Sequence, residues 1–240
     1  NSTISNCYNT GEISANVPAG GLACYFKNST ISNCYNTGKI TSLHAPAGGL
    51  AYSFENSAIN NCYNTGKISS GSSAGGLADF VENSTISNCY NTGEISAQYS
   101  AGGIGRYVVD DSTISNCYNT GKITSLSSTV GGLVDSIDDG TITNSYNTGE
   151  ITSLSAPVGG LTFSIRNTTI INCYNTGTVV GNYCIAGIAT QVYENSSIEN
   201  CYNTGELKPC ETSTQLNYGA ILFSNYGGDT STIKNTYYLN

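Results

Sequence analysis

The segment Asn6-Cys7-Tyr8-Asn9-Thr10-Gly11 returns almost unchanged along the whole chain. With Tyr8 as marker, the copies fall at Tyr35, Tyr63, Tyr90, Tyr118, Tyr146, Tyr174 and Tyr202, in steps of 27 or 28 residues. A worn ninth copy, Asn235-Thr236-Tyr237, follows after 35. A fixed period of this size is the signature of a repeat architecture, in which each unit buries its apolar face only against its neighbours. The expected organisation is therefore one elongated domain, 1–240. Its coils are expected at about 1–27, 28–55, 56–82, 83–110, 111–138, 139–166, 167–194 and 195–229, with a partial 230–240.

The unit itself points to β-structure. Ile4 and its repeats precede each Tyr by four residues, and a second apolar position, Ile13 and its repeats, follows it by five. A variable Ser/Ala/Pro loop then leads to Gly20-Gly21-Leu22 and its copies. Short apolar stretches between Gly, Asn and Ser read as strands and turns, here three strands per unit. No stretch sustains a helical period, and leucine-rich repeats need a helix or a denser Leu pattern. The fold class is all-β: a single-domain β-solenoid, or parallel β-helix, without helical caps. Ile4, Ile13 and Leu22 should head interior ladders. Asn9 and its repeats are the favoured side-chain ladder, with Asn6 next, since stacked amides can donate and accept along the axis. Ile4 and Tyr8 share parity on an extended strand, so the Tyr row is expected inside or half-buried. A bend at Asn6 would reverse this and bury Cys7.

The order Gly-Gly-Leu, a spacer, then Ile-x-Asn-Cys/Ser-Tyr-x-Thr-Gly-x-Ile resembles the GLUG repeat of bacterial surface proteins, well over residues 1–207 and loosely beyond. That resemblance implies secretion, a β-solenoid, and structural or adhesive work. Some GLUG-repeat proteins are surface metallopeptidases. This chain has no His-Glu-x-x-His and a single histidine, His44, so no peptidase chemistry carries over.

Charge and composition narrow the remaining classes. The net charge of −8 and the absence of a basic stripe argue against nucleic acid. No apolar run approaches the roughly 20 residues of a membrane span. Only a tenth of the residues are charged, yet Tyr and Ile recur at fixed places, which separates the chain from disordered sequences. No nucleophile–base pair and no set of separated carboxylates stands out, so no catalytic residue, metal or cofactor is expected.

Seven of ten cysteines share one repeat position, where Ser145 and Thr236 also occur; a position that accepts Ser and Thr does not require a thiolate. Cys184 and Cys210, in adjacent coils beside a lengthened final turn at Lys208-Pro209-Cys210-Glu211, are the disulfide candidates, and Cys24 has no evident partner. Glu12, Lys39, Lys67, Glu94, Lys122, Glu150, Thr178 and Glu206 form an outward charge ladder, read as structural. Asp110-Asp111 and Asp138-Asp139 are too few oxygens for Ca²⁺ and read as solvated turns. Sequons at Asn1, Asn28, Asn83, Asn167 and Asn195 are possible glycan sites at one corner, where Asn also serves simply as a turn residue.

Two non-enzymatic classes follow. The first is a secreted structural protein at the cell surface, a subunit of an end-to-end filament. In it Ile4 and Tyr8 of one copy would lie against Ile233, Tyr237 and Tyr238 of the next, because neither end of the sequence shows a cap. The rival is a segment cut from a longer surface protein: an adhesin stalk or a repeat that binds host or surface glycans. A Thr-x-Ser/Thr array (Thr3/Ser5, Thr30/Ser32, Thr85/Ser87, Thr113/Ser115, Thr141/Thr143) resembles the hydroxyl grid of ice-binding solenoids, interrupted by Ala58, Ile171 and Glu199.

Overall fold

The computed structural model describes residues 2–210, 217–226 and 230–238. The first coil comprises β1 (Ser2–Ser5), β2 (Tyr8–Asn9), β3 (Ile13–Ala15), β4 (Ala19–Gly20) and β5 (Ala23–Lys27). Each begins a parallel sheet named here after it: nine strands in the β1 and β2 sheets, eight in the β3, β4 and β5 sheets. Every strand pairs with its equivalent one coil away, Ile4 with Ile31, Tyr8 with Tyr35, Ile13 with Ile40. The chain is thus an all-β parallel solenoid, and among the described residues there is no α-helix. Nine strands about 4.8 Å apart make a rod roughly 38 Å long.

Five strands per coil, rather than three, follow from two hard corners and a glycine break. At the first corner Asn6, Asn33, Asn61 and their repeats hold positive φ (55°, 53° and 52°); at the second, Asn28, Asn56, Asn83 and theirs do the same. Asn tolerates this left-handed state better than other side chains. The residue after each such Asn then performs one task. At the first corner Cys34 Sγ accepts the Cys7 N–H at 3.4 Å and donates to the Ser32 carbonyl at 3.1 Å. At the second, Ser57 Oγ accepts the Ser29 N–H at 3.1 Å and donates to the Glu55 carbonyl at 2.8 Å. Backbone groups freed by the corner are satisfied by a short side chain from the next coil.

The interior is divided in two. Ile31, Leu50, Phe54, Cys34 and their repeats form one fully buried compartment; Ile40, Ala47 and theirs form the other. Between them runs the buried Asn36 column, pressed on the second glycine of each Gly-Gly pair. A Cβ on Gly49 would come within 2.7 Å of the Asn64 side chain, so the waist closes only on glycine. Ile4, Ile13 and Leu22 do head interior ladders, though in the first coil they are only half-buried.

The tyrosine row is half-buried, within the expectation, but it faces outward, and the parity argument for its burial is corrected in favour of the bend at Asn6. Cys34, Cys62, Cys89, Cys117, Cys173 and Cys201 are fully buried, and the interior tyrosines are half-buried on the outside. Left-handed Asn6 rotates the chain between Ser5 and Cys7, so the two-residue alternation linking Ile4 to Tyr8 loses phase. Cys turns in and Tyr turns out.

Candidate functional site

Four features could carry function: the thiol column, a buried charge cluster, the corner rows and the outward tyrosine row. The thiols are engaged in the corner bonds just described, and Ser145 takes the same part in oxygen. Its Oγ accepts the Cys117 N–H at 3.0 Å and donates to the Thr143 carbonyl at 2.7 Å. Burial pushes the Cys34 and Cys173 thiols up, and at Cys62 and Cys89 the bond to the next thiol of the column raises them further. At the far end of the column Cys201 is lowered by the bond from Cys173; the raised thiols are neutral donors and acceptors, the opposite of an activated nucleophile.

Cys184 and Cys210 are not joined. Both are free thiols: Cys184 registers with Asn217, whereas the Cys210 N–H bonds the Gly181 carbonyl at 2.8 Å and its Sγ turns to the Ser153 carbonyl at 3.5 Å. A bulging loop is expected through Lys208-Pro209-Cys210-Glu211, but Lys208 and Pro209 continue a strand registered on Val180 and Gly181 and the Cys210 N–H stays bonded to that coil; Glu211 lies outside the described residues. Cys24 Sγ donates to the Pro18 carbonyl at 3.4 Å.

The charge cluster was not singled out from sequence. Asp79, Arg106 and Asp135 occupy one position in three successive coils of the β5 sheet, between paired residues. The Arg106 guanidinium clamps Asp79 through Nε (3.3 Å) and Nη2 (2.9 Å), with the Asp79 side chain wholly buried. Asp135 is left over. Ser136 Oγ donates to its Oδ2 at 3.4 Å, but Oδ1 has no well-aligned partner. Burial pushes its carboxyl up to about 6, only partly offset by the Thr129 hydroxyl, Arg106 and the Ser100 hydroxyl. Both carboxylates are buried, and the partly exposed Arg106 is spent on Asp79.

At the second corner Asn28, Asn83, Asn167 and Asn195 are exposed sequon residues; Asn1 lies outside the described residues. Asn83 Nδ2 donates to Asn56 Oδ1 at 2.6 Å and Asn195 Nδ2 to Asn167 Oδ1 at 3.0 Å. Asp110, Asp111 and Asp139 line an open hollow on this corner with Glu82 and Asn83. His44 is exposed in the variable loop. The charge ladder forms three ion pairs, Lys39–Glu12 (2.8 Å), Lys67–Glu94 (3.0 Å) and Lys122–Glu150 (2.7 Å), all half-exposed. The Thr-x-Ser array lies outward on the β1 sheet, with Thr30 over Thr3 and Ser32 over Ser5.

The tyrosine row is the most regular outward feature. From Tyr8 to Tyr202 neighbouring rings are 4.8–5.2 Å apart, centroid to centroid, with planes within 8° of parallel. Tyr8 and Tyr237, in the outermost described coils, are the most exposed of the row, at 62% and 58%. Ile233 and Tyr238 are also exposed. Burial raises the phenols of Tyr90, Tyr118 and Tyr174, which stay protonated at neutral pH.

Comparison with models of known protein families and with curated proteins finds no match. The resemblance to GLUG repeats therefore rests on the motif and its recurrence, while the geometry establishes the coarser class: this chain is a parallel β-solenoid of stacked, near-identical coils.

Proposed function

We propose that the chain is a structural element, a stiff rod segment of a secreted or cell-surface protein whose coils can stack end to end. The observation that carries this is register. Asn9 Nδ2 bonds Asn36 Oδ1 at 2.7 Å, and the same bond repeats without a break through Asn64, Asn91, Asn119, Asn147 and Asn175 to Asn203. Isoleucine, asparagine and tyrosine columns run together along the axis, so bending or shear at any coil must break all of them at once.

Stacking has the same basis. A further coil adds to an outer edge by repeating the bonds already made inside, and it can come from a second copy or from adjoining repeats of one chain. Tyr8 and Ile4 at one end and Ile233, Tyr237 and Tyr238 at the other are the residues such a junction would cover. A head-to-tail contact is heterologous and propagates as a filament unless the rotation closes. A glycan-binding role has less support, because sugars pack on aromatic faces and the interior faces of this row are covered by neighbouring rings. Electron microscopy across a concentration series tests the reading. Fibres one solenoid wide support the filament, and monodisperse short rods at high concentration overturn it in favour of a stalk. A globular small-angle scattering profile would overturn the rod itself.

A further inference from the structure

We infer that the third corner of the rod, between the β3 and β4 sheets, is a side-by-side contact between two copies of the chain running antiparallel. Six large apolar side chains stand out from this corner along seven coils: Val17 (64% exposed), Leu43, Tyr99, Leu126, Leu154 (43%) and Tyr183. Hydrogen bonds between coils hold the corner in line. The Leu43 N–H bonds the Ala15 carbonyl, that of Leu126 the Ala97 carbonyl and that of Leu154 the Ser125 carbonyl, which sets Leu154 over Leu126. A single exposed leucine is ordinary, but a row six strand spacings long, about 29 Å, is a contiguous patch. Only the third coil interrupts it, with Gly71 over Leu43 and Ser72 beside it.

Charge selects the occupant. The chain has 16 acidic and 8 basic residues, yet none stands between the β3-sheet and β4-sheet strands of these seven coils. A basic protein or an anionic lipid surface finds no charge here to pair with. Two copies at net −8 repel each other, and they approach at least cost where neither carries a charge. The order of the side chains then selects the arrangement. With one rod reversed about a two-fold axis at the fourth coil, Tyr99 meets Tyr99, Val17 meets Tyr183, Leu43 meets Leu154, and Leu126 enters the gap at Gly71 and Ser72. Each contact off the axis occurs twice, as an isologous interface requires. With the rods parallel, Gly71 would face Gly71 across a void. That gap is built in, since a Cβ on Gly71 would collide with the Leu43 carbonyl oxygen. The exposed parts of the six side chains come to roughly 600 Å² per copy, so with the small residues between them the stripe approaches the about 800 Å² that a specific dimer buries on each side.

Side pairing stops at two copies, whereas head-to-tail stacking keeps growing with concentration, so the two contacts are separable. The test is sedimentation and small-angle scattering of the full chain across a concentration series. A monomer–dimer equilibrium is expected, with a dimer twice the cross-section of the monomer and no longer. Leu126→Asp should raise the dissociation constant about a hundredfold, because each dimer loses that contact twice. Ser72→Tyr adds apolar surface but fills the gap, and should weaken pairing about tenfold; unspecific adhesion would strengthen instead. Tyr8→Asp, at the end of the tyrosine row, should leave pairing unchanged. Under mild oxidation Tyr99→Cys should crosslink two copies beyond the background of the native thiols. Leu43→Cys should do so only together with Leu154→Cys. Circular dichroism verifies the solenoid in each variant. A monomer at every concentration, a dimer twice as long rather than twice as wide, tighter pairing with Ser72→Tyr, or a crosslink from Leu43→Cys alone would each overturn the assignment. So would monomers that bind neutral phosphatidylcholine vesicles through this corner.

Discussion

The asparagine ladder and the Asp79–Arg106–Asp135 cluster are both buried and polar, and they solve that problem in different ways. In the ladder every coil contributes the same neutral amide. Asn64 Nδ2 donates to Asn91 Oδ1 at 2.8 Å and to the Gly66 carbonyl at 2.8 Å, while its own Oδ1 accepts from Asn36. The strand spacing brings each amide within hydrogen-bond reach of the next, so repetition alone satisfies the group. The charged cluster occurs once. Its column otherwise holds Tyr52 and Phe163 in adjoining coils. Two carboxylates share one guanidinium, and Arg106 is committed to Asp79. A polar group is stable inside this rod when it recurs; one that does not recur must find partners sideways, and Asp135 finds too few.

Breaking the cluster at its centre should have the largest effect. Arg106→Met strands a carboxylate that is wholly buried and should cost about 3–5 kcal/mol in chemical denaturation. Adding Asp79→Asn should return part of the loss, and a double-mutant cycle measures the coupling. Cutting the ladder comes next. Asn91→Ala removes the acceptor of Asn64 and the donor to both Asn119 and the Gly93 carbonyl, and it opens a void at the waist. The expected loss is about 2–4 kcal/mol, and hydrogen exchange should be fastest in the coils on either side of the cut.

Asp135 sharpens the comparison through pH. Its folded carboxyl titrates near 6, above its ordinary value of 3.8, so the folded state holds a proton that the unfolded chain has released. Stability is then fully present below about 4, falls as pH rises to 6, and stays lower beyond it. Asp135→Asn should remove that slope and stabilise the protein by about 2–3 kcal/mol at pH 8, with little gain at pH 4. A wild-type protein whose denaturation midpoint is flat from pH 4 to 7 would contradict the burial argument.

The period and the apolar anchors made the solenoid readable from sequence, because stacking requires equivalent residues in every coil. The Asn9 ladder was readable for the same reason. The second expected ladder is present in the later coils, from Asn235 through Asn200 and Asn172 to Asn144, at 3.1–3.3 Å. The phase between Ile4 and Tyr8 was not readable from alternation, which assumes extended backbone and fails at a left-handed residue. The signal was present: an Asn stands just before the Cys position in every copy. The Asp79–Arg106 pair escaped notice because it departs from the repeat, in a stretch where the coils share few residues.

That missed phase yields the most discriminating small effect. If the thiol column serves the corner rather than any chemistry of sulfur, oxygen should replace it and hydrocarbon should not. Cys89 Sγ accepts the Cys62 N–H at 3.3 Å and donates to the Ser87 carbonyl at 3.0 Å. Cys89→Ser keeps both roles in a smaller atom, as Ser145 already does at the equivalent place. Its cost should stay below about 1 kcal/mol, the loss of the larger sulfur's packing offset by stronger bonds. Cys89→Val fills the space but leaves a buried N–H and a buried carbonyl without that partner, which should cost about 1–3 kcal/mol. The second corner supplies the control. Ser84→Cys exchanges the acceptor of the Ser57 N–H for sulfur, and Ser84→Val removes it. If the corners are one device, the two sites rank their variants alike, hydroxyl or thiol above hydrocarbon. A Cys89→Val protein as stable as Cys89→Ser would show that packing, and not the corner bond, sets the residue at this position.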